Sequence, residues 1–393
     1  MNFKIFDIGG TFLKVYCSKT KITTRIAMQT EAVISVENIK TLIRSQLEDD
    51  TEYIGISSQM HGFVLFDEFN NNLSDFVTWK VKSETSIFVE NNIFNTFDNT
   101  GLEKRDDLPI NNIYDYIKQK NISNTNIKVK NITEAILDTI STKTHVTMAC
   151  GNGFYDIYKK EYIKSYVDLF YDLFKVNLLF DDVIFNREVV GTIINTPVYV
   201  GIGDFQASLY SCNFSNNPLF INMATGSQIA IISDTLTTPG LSCRPFFNNK
   251  IIECITHIPC GRFLNIFDTF LKTVGISLWD EINRLRIEDV YASNIIITTD
   301  IFSGQGICIS KIYDNTFKLT NFISSIFKSF LWQYINIIKN NKFKFDNIIL
   351  SGGIAKRIPL IRNILYREFN VTVNINNNDD DSIGGVLKFI NEH

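Results

Sequence analysis

The chain has 393 residues, 45% hydrophobic and 13% aromatic, and a formal charge of −4 from 38 basic and 42 acidic side chains. Length allows two ordinary domains, and the composition supports a packed core rather than global disorder. The balanced charge gives no basic footprint for nucleic acid or an anionic membrane, and no apolar run reaches the ~18 residues of a membrane span. The first residues lack the basic-then-apolar pattern of a secretory signal. Seven scattered cysteines suit reduced thiols in a cytoplasmic protein better than a disulfide framework.

In chain order, residues 3–8 and 12–16 read as strands rich in Phe, Ile, Val and Tyr, joined by Gly9-Gly10. Asp7 and Lys14 interrupt this apolar hairpin, and its turn exposes backbone N–H groups beside Thr11. Residues 30–50 read as helical and 53–58 as a strand. Segments 110–120, 131–142 and 158–175 have helical apolar spacing. The strand over 197–204 ends in Asp204. A second hairpin follows in 219-LFINMATGSQIAII-232, with Ala224-Thr225-Gly226-Ser227 at its turn. Helices are expected over 262–275 and 318–340, a strand over 347–353 and a helix over 358–369. Residues 374–381 read as a polar loop, and 382–390 as a short closing helix.

Strands alternating with helices argue for α/β layers. Two donor-rich hairpins about half a chain apart suggest two related domains. Facing each other across a cleft, such turns would bracket a polyphosphate. The boundary is expected shortly after Asp204, giving domains of 1–211 and 212–393.

Six segments, in order, carry a resemblance: 7-DIGGTFLK-14, 55-GISSQMHGFVLFD-67, 78-TW-79, 201-GIGDFQASLYSC-212, 222-NMATGSQIA-230 and 351-SGGIAKRIPLIRNIL-365. Together they resemble the FGGY carbohydrate kinases of the actin-like ATPase superfamily. The stretches around Asp204 and from Asn222 to Gln228 are most similar to the sedoheptulokinase branch. The resemblance implies an α/β chain of two actin-like (ribonuclease H-like) domains with an interdomain cleft, using ATP and Mg²⁺ to phosphorylate a small-molecule sugar. It implies that Asp7 holds the metal, mainly through water. Gly9, Gly10, Thr11 and Lys14 would meet the ATP phosphates from one side, and Thr225, Gly226 and Ser227 from the other. Gly352, Gly353 and Ile354 would lie beside the adenosine. Gln59, Met60, His61 and Trp79 would face the sugar, and Asp204 would be the general base for its hydroxyl. Sedoheptulose is the first choice of substrate, followed by other ketoses such as xylulose or ribulose. A homodimer is compatible with the sequence; nucleic acid and membrane partners are not expected.

The chain departs from the family in 79-WKVKSE-84. Val81 and Ser83 stand where the resemblance leads one to expect Asp and Arg. This motivates a rival reading, a degenerate member that binds sugar or nucleotide without transferring phosphate. Another actin-like branch, or an assembly ATPase, is a second rival, opposed by the Gln-Met-His-Gly and Gly-Asp-Phe-Gln strings. Cys254, His257 and Cys260 are spaced by three and lack the close pair spacing of zinc ligands. On a strand, alternation would turn His257 away from both cysteines. Neither a Gly-x-x-x-x-Gly-Lys-Ser/Thr loop nor a Gly-x-Ser-x-Gly elbow is present.

Overall fold

Phe3–Ile8 forms a strand (β1) buried on both faces but for its first residue, as expected for a strand with a parallel neighbour. The structure, a computed structural model, describes residues 2–28, 31–84, 87, 100–102, 108–212, 217–224, 226–235, 241–300, 306–311, 318–376 and 380–392. Strand β1 turns at Gly9-Gly10 into β2 (Phe12–Cys17), which pairs antiparallel with it and with β3 (Ile22–Ala27). Helix α1 (Val36–Arg44) buries Val36, Ile39 and Ile43, and its first turn is capped by the Ser35 hydroxyl, which accepts from Asn38 N–H. It is shorter than the 30–50 expected. The chain then enters β4 (Tyr53–Ser58), parallel to β1. Further on come β5 (Val189–Ile193), β6 (Thr196–Tyr199) and β7 (Ile202–Gly203). The sheet runs β5-β6-β4-β1-β2-β3, with β7 paired to the end of β4.

The second sheet repeats the pattern. Strand β8 (Pro218–Met223) pairs antiparallel with β9 (Gly226–Ser233) and parallel with β11 (Asn347–Ser351). With β10 (Ile251–Pro259) and β12 (Thr372–Ile375), the order is β10-β9-β8-β11-β12, and helices α5 (Gly353–Arg357) and α6 (Pro359–Phe369) lie in the chain between β11 and β12. Helix α3 (Gly261–Lys272) follows β10. The 23-residue helix α4 (Leu319–Asn341) precedes β11 and buries Phe322, Ile326, Phe330 and Tyr334 in this unit's core. In each sheet the opening strand has its hairpin partner on one side and a parallel strand on the other. These are the ribonuclease H-like layers the resemblance implied.

Contacts divide the chain into two units: 1–213 with 242–251 and 378–393, and 214–241 with 252–377. The first stretch of the first unit ends at residue 213, and residues 242–251 and the last helix, α7 (Asp381–Glu392), lie with that unit, so two continuous stretches do not describe this division. Glycines seat that helix. A Cβ at Gly385 would lie 1.8 Å from the Ala207 carbonyl oxygen, and one at Gly55 in β4 would lie 2.4 Å from Ile390.

Several elements differ from the sequence expectation. The helix of 131–142 is confined to Ile132–Ala135, because Asp138 N–H donates to Thr192 O of β5 and draws the chain out of the helix. The helix of 158–175 begins only at Lys164, since Glu161–Tyr162 pairs with Tyr155–Asp156. The strand of 197–204 breaks at Val200-Gly201, and Asp204 opens helix α2 (Asp204–Tyr210). Asn374 and Ile375 belong to β12 rather than to a loop. Cys254 on β10 and Cys260 just after it are buried, while His257 between them is exposed. Among the described residues no helix is long and apolar enough to cross a membrane.

Adding a methyl group at Gly385 forces backbone apart. Gly385→Ala is expected to cost at least about 2–3 kcal/mol, the upper part of the overpacking range. Gly353→Ala, with nothing within 4 Å of its added Cβ, is expected to stay within about 0.5 kcal/mol. Urea denaturation midpoints of the two variants check this contrast.

Candidate active site

Register builds the centre of the site. Asp7 lies opposite Lys14 of β2 and opposite Ser57 of β4, so the three side chains form a row on one face of the sheet. The Asp7 carboxylate is 3% exposed, a costly place for a charge unless it is paired. Ser57 Oγ donates to its Oδ1 at 2.9 Å, and Ser382 Oγ to its Oδ2 at 2.6 Å. Lys14 Nζ lies 2.9 Å from the same Oδ2. Lys14 also reaches Asp380, at 3.0 and 3.1 Å from its two oxygens. Burial alone would depress the Lys14 ammonium, but Asp7 and Asp380 outweigh it and raise its pKa.

Strand β7 continues this geometry. Its Ile202 and Gly203 pair with Ser57 and Ser58, so Asp204 emerges at the carboxyl ends of the parallel strands, where α/β sheets place ligands. Asp204 is half-buried and accepts Phe205 N–H at 2.8 Å. Its pKa is pushed up to about 7, first by burial and then by the Asp7 charge. The Phe205 N–H, Arg244 and Lys14 oppose that rise.

The residues expected on the sugar side follow β4. Gln59 N–H donates to Ile8 O, which tethers this segment to the end of β1. The Gln59 amide is 3% exposed, and neither its oxygen nor its nitrogen has a hydrogen-bond partner among the described residues. Such a group is costly to leave unmatched and is suited to ligand hydroxyls. A Cβ at Gly10 would stand 3.6 Å from Trp79 Nε1 and 3.7 Å from Gln59 Oε1. Gly10, Gln59 and the 43%-exposed Trp79 are thus gathered on one side of the hairpin. Lys80 Nζ donates to Gly10 O at 2.7 Å. His61 takes a positive φ of 56°, and its Nδ1 lies 2.9 Å from Gly151 O. Met60, by contrast, is turned inward: it is 4% exposed and packs at Gly203 and Arg244.

In the hairpin turn, Gly9 N–H is used internally, by Asp7 O and Phe12 O. The N–H groups of Gly10 and Thr11 donate to nothing among the described residues, so these two amides are the turn's outward donors. In the second unit, Thr225 lies outside the described residues. Gly226 is exposed, whereas Ser227 is buried and donates to Asn222 O. The inward turn of the Ser227 hydroxyl leaves the Gly226 backbone as the outer surface of that hairpin. Gly352 has φ +88°, and a Cβ there would lie 2.3 Å from Met223 O, so only glycine fits. Gly353 is exposed with open space at its Cβ position, while Ile354 is 8% exposed and packs into the core.

Three residues in this region escape the sequence reading. Asp380 and Ser382 join Asp7 and Lys14 from the far end of the chain. Arg244 is 7% exposed, lies 5.1 Å over the Phe205 ring and contributes a favourable charge to Asp204. The only local signal for Asp380 is the acidic run 379-DDD-381, and for Arg244 an arginine within an otherwise apolar stretch. Val81 and Ser83 are also accounted for. Val81 packs against an apolar cluster, and Ser83 donates to Asp115 at 2.5 Å.

No family model and no curated protein matches the chain. Solved structures do. A ligand-bound xylulose kinase and a gluconate kinase, both from Lactobacillus acidophilus, each superpose with TM-score 0.81 at 16% identity, covering 100% of this chain and 90% of the other. Plasmodium falciparum glycerol kinase with ADP gives TM-score 0.77 at 14% identity, covering 98% and 88%. At such identities the likeness shows the fold, the two-domain actin-like, ribonuclease H-like α/β architecture.

Two outcomes follow from the buried groups. The Asp204 carboxyl titrates near 7 when folded and near 3.9 when unfolded. Folding therefore carries no penalty from this group below about pH 4, and a growing one as pH rises to about 7. The melting temperature of Asp204→Asn minus that of the parent should increase from pH 4 to 7 and then level off; a difference constant across that range contradicts this environment. Gln59→Met removes a buried amide without partners, and its denaturation midpoint should equal or exceed the parent's.

Proposed function

We propose that the protein is an ATP-dependent sugar kinase that transfers the γ-phosphoryl group to a hydroxyl of a ketose, with Asp204 as the general base. The observation that carries this reading is the placement of Asp204 at the ends of β1 and β4, beside Asp7 and Lys14, with a carboxyl tuned to about 7. A base acts best when its pKa lies near the working pH. In the reaction, Asp204 takes the proton of the attacking hydroxyl. The hydroxyl oxygen forms its bond to the γ-phosphorus as the bond from phosphorus to the bridging oxygen breaks, and ADP leaves. Phosphoryl transfer demands positioning and charge stabilisation more than covalent help. The N–H groups of Gly10 and Thr11 and the Lys14 ammonium are suited to both.

The first unit also fits a magnesium ion. Asp7 already holds a cation, the Lys14 ammonium at 2.9 Å. Among the described residues no group of three or more His, Cys, Asp or Glu is gathered for a metal. An ion at Asp7 would therefore rest on few carboxylates and water, the coordination magnesium takes. When bound, it neutralises charge on the transferring phosphate. In the second unit, the backbone at Gly226 and at Gly352–Gly353 is the candidate nucleotide surface. On the sugar side, the Gln59 amide and the exposed Trp79 ring are the candidate contacts, with His61 beside them. The sedoheptulokinase-like stretches around Asp204 and Asn222 support sedoheptulose as the substrate, and a cytoplasmic setting suits seven cysteines that form no disulfide.

One observation favours a second reading, binding without transfer. Val81 and Ser83 are committed to packing and to Asp115, so neither supplies charge to a sugar. ADP release with Mg-ATP across a panel of ketoses, aldonates and polyols separates the readings. One sugar should stimulate turnover, and Asp204→Asn should lower it ~10²-fold or more, the scale of a lost general base. The kcat/KM of the parent should climb with pH to a plateau above about 7, because only the ionised carboxylate accepts a proton. Nucleotide binding without stimulation by any sugar would select the binding protein instead.

A further inference from the structure

The Lys14 ammonium sits between two carboxylates that belong to opposite ends of the chain. It is 2.9 Å from Asp7 Oδ2 and 3.0 and 3.1 Å from the Asp380 oxygens. Ser382 spans the same pair: its Oγ is 2.6 Å from Asp7 Oδ2 and 2.8 Å from Asp380 Oδ1. A serine hydroxyl has one hydrogen to donate, so it can serve only one of these carboxylates at a time. Asp380 is itself fixed by Ile383 N–H at 3.4 Å, at the start of α7, and its side chain is 6% exposed. Asp7 Oδ2 thus carries two protein donors, both of which have an alternative acceptor in Asp380.

From this geometry we infer that Asp380 is a positioning residue that lets Lys14 release Asp7 to a divalent cation. The inference rests on the reading of Asp7 as the metal carboxylate. A doubly charged ion at Asp7 repels an ammonium at the same oxygen. With Asp380 present, Lys14 keeps two oxygens of opposite charge and remains near the hairpin turn, while the Ser382 hydrogen turns from Asp7 to Asp380. With Asp380 neutral, Asp7 is the one carboxylate still within ion-pair distance of Lys14 among the described residues, and the ammonium becomes a competitor for the metal. Asp380 therefore acts on metal affinity through Lys14 and touches neither the substrate nor the reacting atoms.

The test is a calorimetric titration of Mg²⁺ into the full chain with ADP, without sugar, for the parent, Asp380→Asn, Asp380→Glu, Lys14→Met and the double variant Lys14→Met/Asp380→Asn. Asp380→Asn should raise the half-saturating Mg²⁺ about 10-fold or more, the usual scale for groups that support a metal carboxylate. Asp380→Glu, which keeps the charge, should recover most of that loss. In the Lys14→Met background the Asp380→Asn effect should vanish, because the competitor is gone; this non-additivity is a readout that a merely structural role would not produce. An unchanged half-saturation in Asp380→Asn, an equal loss in both backgrounds, or a parent that binds no Mg²⁺ would each overturn the inference. If Asp380→Asn does not fold, Ser382→Ala carries the test, with a smaller rise expected in the Lys14 background and none without it. The titration contains no sugar, so a failure of the kinase reading in the ADP-release panel leaves its outcome separately legible.

Discussion

Everything in the first unit turns on how a carboxylate is kept ionised at the end of a strand that is otherwise apolar. Asp7 is buried, and the sheet supplies its compensation by register: Lys14 from the antiparallel neighbour and Ser57 from the parallel one. Ser382 completes the set. A buried charge stripped of such partners is strongly destabilising, so the hairpin, β4 and α7 are bound to one another through this one group. The same charge reaches Asp204 and, together with burial, lifts its carboxyl toward neutrality. Architecture and acid–base chemistry are thus two readings of one constraint.

The second unit has the same strand arrangement around β8 but a different interior. Where Asp7 stands in β1, the matching hairpin of β8 and β9 carries Asn222 opposite Gln228, and Ser227 closes on the Asn222 carbonyl. This hairpin presents backbone rather than a charged row. Gly352, which only glycine can occupy beside Met223, brings the next strand end close to that turn. Two copies of one topology have therefore been given unlike chemistry by a few substitutions at strand ends.

Much of this was legible in the sequence for a definite reason. Asp7, Lys14 and Asp204 are polar exceptions inside apolar strand patterns, and Gly-Gly turns mark where those strands stop. Local patterns reveal such exceptions. Asp380 and Ser382 were not legible, because 374-NINNNDDD-381 reads as a polar loop and Ser382 as the start of a short closing helix, and what gives them meaning is a contact made 375 residues away. Arg244 escaped for the same reason. Met60 and Ser227 show the opposite failure: they belong to recognisable strings, yet their side chains point inward, since a string fixes a position in the chain and packing decides its direction. The helix lengths erred where a tertiary hydrogen bond, such as Asp138 N–H to Thr192 O, outcompeted helical continuation.

Helix α7 packs on β4 and α2 through glycines and delivers the groups beside Asp7, yet it is the last helix of the chain. During synthesis, the first unit therefore cannot be finished when its main stretch, up to residue 213, has emerged. It must wait, with Asp7 lacking Ser382 and with the Gly55 face of β4 uncovered, until the whole second unit has been made. Domains generally fold as they appear from the ribosome. Here the order is inverted: the second unit, 214–241 with 252–377, has emerged entirely before the helix that seals the first, and is the one able to complete its core first. The two halves are joined in folding time as well as in sequence, and the ends of the central strands stay unsealed from the emergence of β4 until that of α7.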